Sequence, residues 1–172
     1  MLQLLDDKVL KTQRLLLEPL TPEHAANLFN VFEHKDIYKY IPGKPPLSVV
    51  ELETKYEPLQ SRLSPAGDEL WLNWAVKLNS SGEYVGTVQA TIYEEGPANL
   101  GYVFGSNYWG KGYAYEACSG LIEYLFNEYQ LKKLKAEVHF ENIASIKLLE
   151  KLGFKRLYAI NNSDDLYYEL EK

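Results

Sequence analysis

One cysteine and three histidines are all the thiol and imidazole that 172 residues offer. Cys118 alone can close no internal disulfide and build no cysteine metal cluster. His24, His34 and His139 stand far apart, without the close spacing of a metal site. Long apolar runs are missing as well, and none approaches the ~20 residues that cross a bilayer. The start, Met1-Leu2-Gln3-Leu4-Leu5-Asp6-Asp7, carries an acidic pair where a secretory leader would continue apolar. No metal, no membrane partner and a cytoplasmic location are therefore expected. Basic residues are in deficit: 18 Lys and Arg against 24 Asp and Glu give a net charge of -6. Coating nucleic acid needs clustered Lys and Arg, so no nucleic-acid partner is expected. The balance leans toward cationic small molecules or basic peptide ends.

What is there suits one globular domain over residues 1–172, because 46% apolar and 24% charged residues can build a core and solvate its surface. No repeat, low-complexity tract or linker divides the chain. Leu15-Leu16-Leu17 reads as a first strand stopped at Pro19. Thr21-Pro22-Glu23 opens a helix, with Thr21 as cap and Pro22 at the first helical position, where its missing N–H costs nothing. Leu28, Phe29 and Phe32 form its stripe, and it runs out near His34. Ile41-Pro42-Gly43-Lys44-Pro45-Pro46 must be loop. Ser48 caps a second helix carrying Val49, Leu52, Tyr56 and Leu59.

Three runs of strand texture follow, Leu70 to Leu78, Tyr84 to Tyr93 and Asn99 to Phe104. The turn cluster Asn79-Ser80-Ser81-Gly82 makes the first two a hairpin. Gly112 to Tyr129 has a helical period, with Ala114, Cys118, Leu121, Leu125 and Tyr129 on one face. Cys118 is therefore read as core. Leu134, Ala136, Val138 and Phe140 alternate with polar residues as a half-buried strand. Asn142 caps a helix with Ile146, Leu149 and Leu152 inward, closed at Gly153. Phe154 to Ile160 and Leu166 to Leu170 read as a last strand pair, linked by Asn161-Asn162-Ser163-Asp164-Asp165. This order predicts an α/β fold of the α+β type. Its mixed, mainly antiparallel sheet of about seven strands has helices on both faces and one parallel crossover.

The strand ending at Phe104, followed by a loop and a helix opening at Gly112, makes an anion site. A helix start leaves backbone N–H groups unpaired and carries partial positive charge. Gly110 and Gly112 would let a diphosphate approach the main chain. Ala114 keeps the next contact small, and Lys111 adds charge at the rim. A plain turn with a glycine cap would have the same spacing. Neither G-x-x-x-x-G-K-[ST] nor an early G-x-G-x-x-G is present.

The run N-Y-W-G-K-G-Y-A-Y-E-A resembles the coenzyme-A loop of the GNAT acetyltransferases, and the element order is similar to theirs. The later run H-F-E-N-I-A-S-I-K-L-L-E-K-L-G-F, His139 to Phe154, resembles the family's fourth-helix segment. Within it, N-x-x-S with L-E-K-x-G-F is similar to the RimJ/RimL-like branch, which acetylates protein N-termini and other amines. The resemblance covers about Thr12 to the C-terminus.

It implies a direct transfer from acetyl-CoA, as co-substrate, to an amine, without an acyl-enzyme. The main chain at Val103, Phe104 and Gly105 would pair with the pantetheine arm. N–H groups from Gly110 through Lys111, Gly112 and Tyr113 to Ala114 would hold the pyrophosphate, and Asn142 would reach the pantetheine or the acetyl end. Three positions depart from the family pattern. Trp109 stands where many relatives have Gln or Arg, Leu149 where a tyrosine acid is usual, and Asn99 where a Glu often serves. Ser145 occupies the place of the serine acid of the RimJ/RimL-like branch. It could equally be a first-turn residue bonding back to Asn142. His139, at the strand end beside the expected gap, is the candidate base, or else a solvated residue of the polar face. Tyr38, Tyr40 and Tyr56 join Asn99 as acceptor-pocket candidates. The favoured acceptor is a protein or peptide N-terminus. A polyamine or antibiotic amine, or a silent CoA-binding module, are the alternatives, and a homodimer is left open.

Overall fold

Leu70, Leu72, Trp74, Val76 and Leu78 take every second position of one run, so an extended backbone puts all five on one face. That face is the floor of the core. The computed structural model, which describes residues 3–5, 8–158 and 164–172, builds the rest around it. In chain order the elements are β1 (Leu10–Lys11), β2 (Leu15–Pro19), α1 (Ala25–Phe32), α2 (Val49–Tyr56), β3 (Glu69–Leu78) and β4 (Tyr84–Tyr93). They continue with β5 (Ala98–Phe104), α3 (Tyr113–Asn127), β6 (Lys133–His139), α4 (Ile143–Lys151), β7 (Lys155–Leu157) and β8 (Asp165–Glu171).

Among the described residues the sheet has eight strands in the order β1-β2-β3-β4-β5-β6-β8-β7, one more than the sequence predicts. The extra strand is β1, two residues long and paired with β2. It is too short to carry an alternation. The helix predicted at Thr21-Pro22 begins instead as a 3-10 turn, Pro22–His24, before α1. The Thr21 N–H donates to Nδ1 of His24 at 3.0 Å, giving that turn its cap. Ser48 caps α2 as expected, accepting from the Glu51 N–H at 3.1 Å. At the C-terminal end β8 lies between β6 and β7. Of the predicted terminal pair, residues 159–163 lie outside the described residues, and Asp165 already belongs to β8.

Two apolar layers sandwich the sheet. Ala117, Cys118, Leu121 and Leu125 of α3, with Leu149 of α4, bury against the floor formed by β3 and its neighbours. Leu28, Val31 and Phe32 of α1 and Leu52 and Tyr56 of α2 bury on the opposite face, against Ala75. At ~25 cal/mol per Å² of apolar area, each such leucine contributes roughly 1.5–3 kcal/mol. All strand pairs but one are antiparallel. The exception, β5 with β6, is the crossover that carries α3.

That parallel pair is short. β5 and β6 are joined only at Ala98↔Leu134 and Asn99↔Lys135, although each strand continues for several residues beyond. Their C-terminal halves diverge and leave a V-shaped gap inside the sheet. Among the described residues, no helix is long and apolar enough to cross a membrane.

Candidate active site

Backbone polar groups inside a sheet are normally paired, so the gap marks where β5 keeps hydrogen-bonding capacity for another partner. Register identifies which groups those are. Phe104 lies opposite Gly86, and the Gly105 N–H donates to the Val85 carbonyl at 3.0 Å. Alternation then turns the main chain of Val103 and Gly105 toward β4, and that of Tyr102 and Phe104 toward the gap. Of the three residues expected to pair with a pantetheine arm, only Phe104 therefore faces it, joined by Tyr102. The Phe104 carbonyl already accepts from the Trp109 indole N–H at 2.8 Å.

The loop after β5 leads straight to the N-terminus of α3. Gly110 and Gly112 have φ of 72° and 79°, a left-handed backbone that a side chain would strain. Two such residues around Lys111 coil the loop so that it ends as α3 begins at Tyr113. The first N–H groups of a 15-residue helix thus lie just past the loop that follows β5, with no side-chain cap bonded to them. Lys111 is exposed, with its ammonium over the Tyr108 ring at 5.6 Å from the centroid.

Across the gap stands the N-terminus of α4. Asn142 caps it, its Oδ1 accepting from the backbone N–H of Ser145 at 3.2 Å. The bond back to Asn142 is thus made by the serine main chain and not by its hydroxyl. The Tyr102 phenol comes from β5 to meet the same residue, 3.5 Å from the Ser145 carbonyl. Burial pushes this phenol well above its ordinary range, partly opposed by Ser145 beside it. Leu149, where a tyrosine acid is usual, is 1% exposed and belongs to the core.

His139 ends β6 and is half-buried. Its ring stacks with Tyr40, at 5.4 Å, and with Phe140, at 5.0 Å. Nδ1 accepts the Glu141 N–H at 3.2 Å, so the neutral ring carries its hydrogen on Nε2. In that tautomer Nε2 is a donor.

The remaining acceptor candidates scatter. Tyr40 joins His139, whereas the Tyr38 hydroxyl donates to the Phe32 carbonyl at 3.0 Å. Tyr56 is 7% exposed within the α1–α2 layer. Asn99 is exposed at the closed end of the gap, its amide donating to the Tyr93 hydroxyl at 3.0 Å. A polar cleft of about 390 Å³ opens nearby, between α1, the β3–β4 turn and residues 105–108. It contains neither Asn142, Ser145 nor His139. The candidate site is the gap, bordered by the outward edge of β5 and the N-terminus of α4, with the glycine loop following β5 in the chain. Cys118 is fully buried, and burial pushes its thiol well above the usual range.

A family model described as an acetyltransferase (GNAT) domain matches residues 14–155. The chain belongs to the GNAT acetyltransferases. Among curated relatives, this GNAT domain is 33% identical over 151 residues to the uncharacterized N-acetyltransferase p20 of Bacillus licheniformis, covering 87% of this chain and 83% of the relative. Among solved structures, a GNAT-family acetyltransferase from Bacillus anthracis superposes with a TM-score of 0.77 at 24% identity, covering 95% of this chain and 98% of the other. The ribosomal-protein-S5-alanine acetyltransferase of Vibrio fischeri shares the fold, with a TM-score of 0.76 at 17% identity over 96% and 97% of the two chains.

This GNAT domain is therefore an N-acetyltransferase, and its family uses acetyl-CoA as co-substrate. The residues that sequence reasoning missed are Tyr102, which no pattern links to Ser145, and Arg14, which packs on the glycine loop from the far side of the chain. Arg14 Nη1 donates to the Lys111 carbonyl at 3.0 Å. Its only sequence signal is a basic residue just before Leu15-Leu16-Leu17.

Proposed function

We propose that this GNAT domain moves an acetyl group from acetyl-CoA directly to an amine, with a protein or peptide N-terminus as the favoured acceptor. The observation that carries the reading is the gap between β5 and β6, which runs from the glycine loop past Phe104 and Tyr102 to Asn142 and Ser145. An extended pantetheine arm fits such an opened strand edge, and a diphosphate fits the N-terminus of α3.

In the transfer, the amine nitrogen attacks the thioester carbonyl and the C–S bond breaks. The ammonium loses one proton before attack, and the nitrogen loses a second as the amide forms, which replaces the proton taken by the departing thiolate. Holding both reactants in the gap supplies much of the rate. Ser145 is the candidate donor to the thiolate, and the Tyr102 phenol beside it keeps its proton at neutral pH. His139 is the candidate base by its place at the strand end, but with Nδ1 engaged by the Glu141 N–H it is better disposed to hold an acceptor group through Nε2–H. Solvent then takes the amine's proton. The preference for a peptide N-terminus rests on the N-x-x-S and L-E-K-x-G-F runs at and around α4; the acidic net charge suits a small cationic amine equally.

A thiol-release assay with acetyl-CoA tests this against N-terminal peptides, polyamines and aminoglycosides. Peptides should give the highest kcat/KM. Preference for a small amine would move the acceptor assignment. Tight acetyl-CoA binding with no turnover on any amine would leave a silent CoA-binding module.

A further inference from the structure

We propose that Arg14 is a positioning residue for the diphosphate site, because it sets the orientation of the Lys111–Gly112 peptide. It lies 97 residues from Lys111 in sequence, just before β2. The inference rests on the reading above, in which the glycine loop receives the diphosphate of acetyl-CoA.

The guanidinium is held on several sides. Nε donates to Oε2 of Glu116 at 2.6 Å, and Nη1 donates to the Lys111 carbonyl at 3.0 Å. Its plane lies over the Tyr113 ring, 4.8 Å from the centroid. Nη2 stands where a Cβ on Gly112 would come within 3.3 Å. Glu116 is itself fixed, accepting from the Thr12 hydroxyl and the Arg14 main-chain N–H at 2.6 Å each. Burial works against its charge, but these donors outweigh it and hold the carboxyl below its ordinary range.

Two consequences follow for the loop. A trans peptide is planar, and its C=O and N–H point in opposite directions. Tying the Lys111 carbonyl to Arg14 therefore aims the Gly112 N–H away from the guanidinium, toward the open side of the loop. This peptide lies between two left-handed glycines, at φ 72° and 79°, and without the tie it is free to turn its carbonyl outward. An outward carbonyl would repel a phosphate. Second, Glu116 sits in the first turn of α3, where a bare carboxylate would compete with an incoming anion. The Arg14 pair cancels that charge.

The test compares Arg14→Lys and Arg14→Gln with the wild type on two donors, acetyl-CoA and acetyl-pantetheine, which lacks the diphosphate. Lysine keeps the charge but loses the planar fork. Losing a charge-assisted bond should raise KM for acetyl-CoA about tenfold in both variants, with kcat little changed. Kinetics on acetyl-pantetheine should not move. The side chain is 45% exposed, so Arg14→Lys should melt near the wild type, while Arg14→Gln, which leaves the 15% exposed Glu116 side chain without its ion pair, should melt lower but still cooperatively. Wild-type KM in Arg14→Lys would show that charge alone suffices and overturn the peptide-setting role. Equal losses on both donors would make Arg14 a general support of the fold and overturn it too. If wild-type protein bound no acetyl-CoA, the diphosphate reading itself would fall, a result distinct from either.

Discussion

The Trp109 indole N–H donates to the Phe104 carbonyl at 2.8 Å, so a side chain from the glycine loop occupies an acceptor on the strand edge where the proposed pantetheine pairing would lie. A pantetheine arm pairing with Phe104 must take that carbonyl or work beside it.

Acetyl-CoA should therefore change the environment of Trp109, which is 52% exposed, while Trp74 stays sealed at 0%. We expect an intrinsic fluorescence change on titration that Trp109→Phe abolishes. Removing the competing bond should also tighten acetyl-CoA binding by roughly 2- to 10-fold. An identical fluorescence response in Trp109→Phe would mean that the indole stays in place when the donor binds.

Gly112 should tolerate no side chain. Its φ of 79° strains any L residue, and a Cβ would meet the guanidinium of Arg14. Gly112→Val is expected to weaken acetyl-CoA binding at least about tenfold, or about 1.4 kcal/mol. Calorimetry on the folded variant checks it, and unchanged affinity would place the phosphates elsewhere.

Ser145 and His139 separate by their pH behaviour. Ser145→Ala should cut kcat by about 10²-fold or more while sparing acetyl-CoA binding, as expected of a lost general acid. His139→Ala should lower kcat/KM on a peptide yet keep its rise between about pH 6 and 8, because the amine still loses its proton to solvent. A flattened profile in His139→Ala would restore the histidine as base. Full activity in Ser145→Ala would leave the thiolate to be protonated by Tyr102 or water.

Acid stability should trace to Glu18. Burial opposes its charge, but donors from Lys77, Tyr84 and His24 hold it below the carboxylate value of 4.5. A depressed folded pKa adds stability that is present above the unfolded pKa and lost as pH falls through the folded one. Glu18→Gln should cost about 1–3 kcal/mol at neutral pH. Its deficit should shrink below about pH 4.5 in urea titrations. A deficit that stays constant down to pH 3 would assign the acid sensitivity to other groups.

Where a signal is local, the sequence carried it. The Tyr84 to Tyr93 strand matches β4 end to end, because alternation and flanking turn residues bound it on both sides. The Ser48 cap was equally legible, since a serine and the N–H three residues on need no distant partner. Tyr40 on His139, Tyr102 on Ser145 and Arg14 on Lys111 were not legible. Each depends on where the sheet register and the crossover bring remote segments. Tyr56 shows the reverse error: an aromatic near a proline-rich loop suggests a pocket, but its helical phase with Leu52 turns it inward. The position of β8 between its neighbours likewise has no marker in the residues of either strand.

The sealing of Cys118 has a use at the bench. With its side chain at 0% exposure on the core face of α3 and its thiol held protonated, the protein's lone sulfhydryl is shut off from disulfide dyes as long as the chain is folded. Every equivalent of colour in a coupled turnover experiment then comes from released coenzyme. A slow second phase, if one develops, reports the enzyme unfolding in the cuvette.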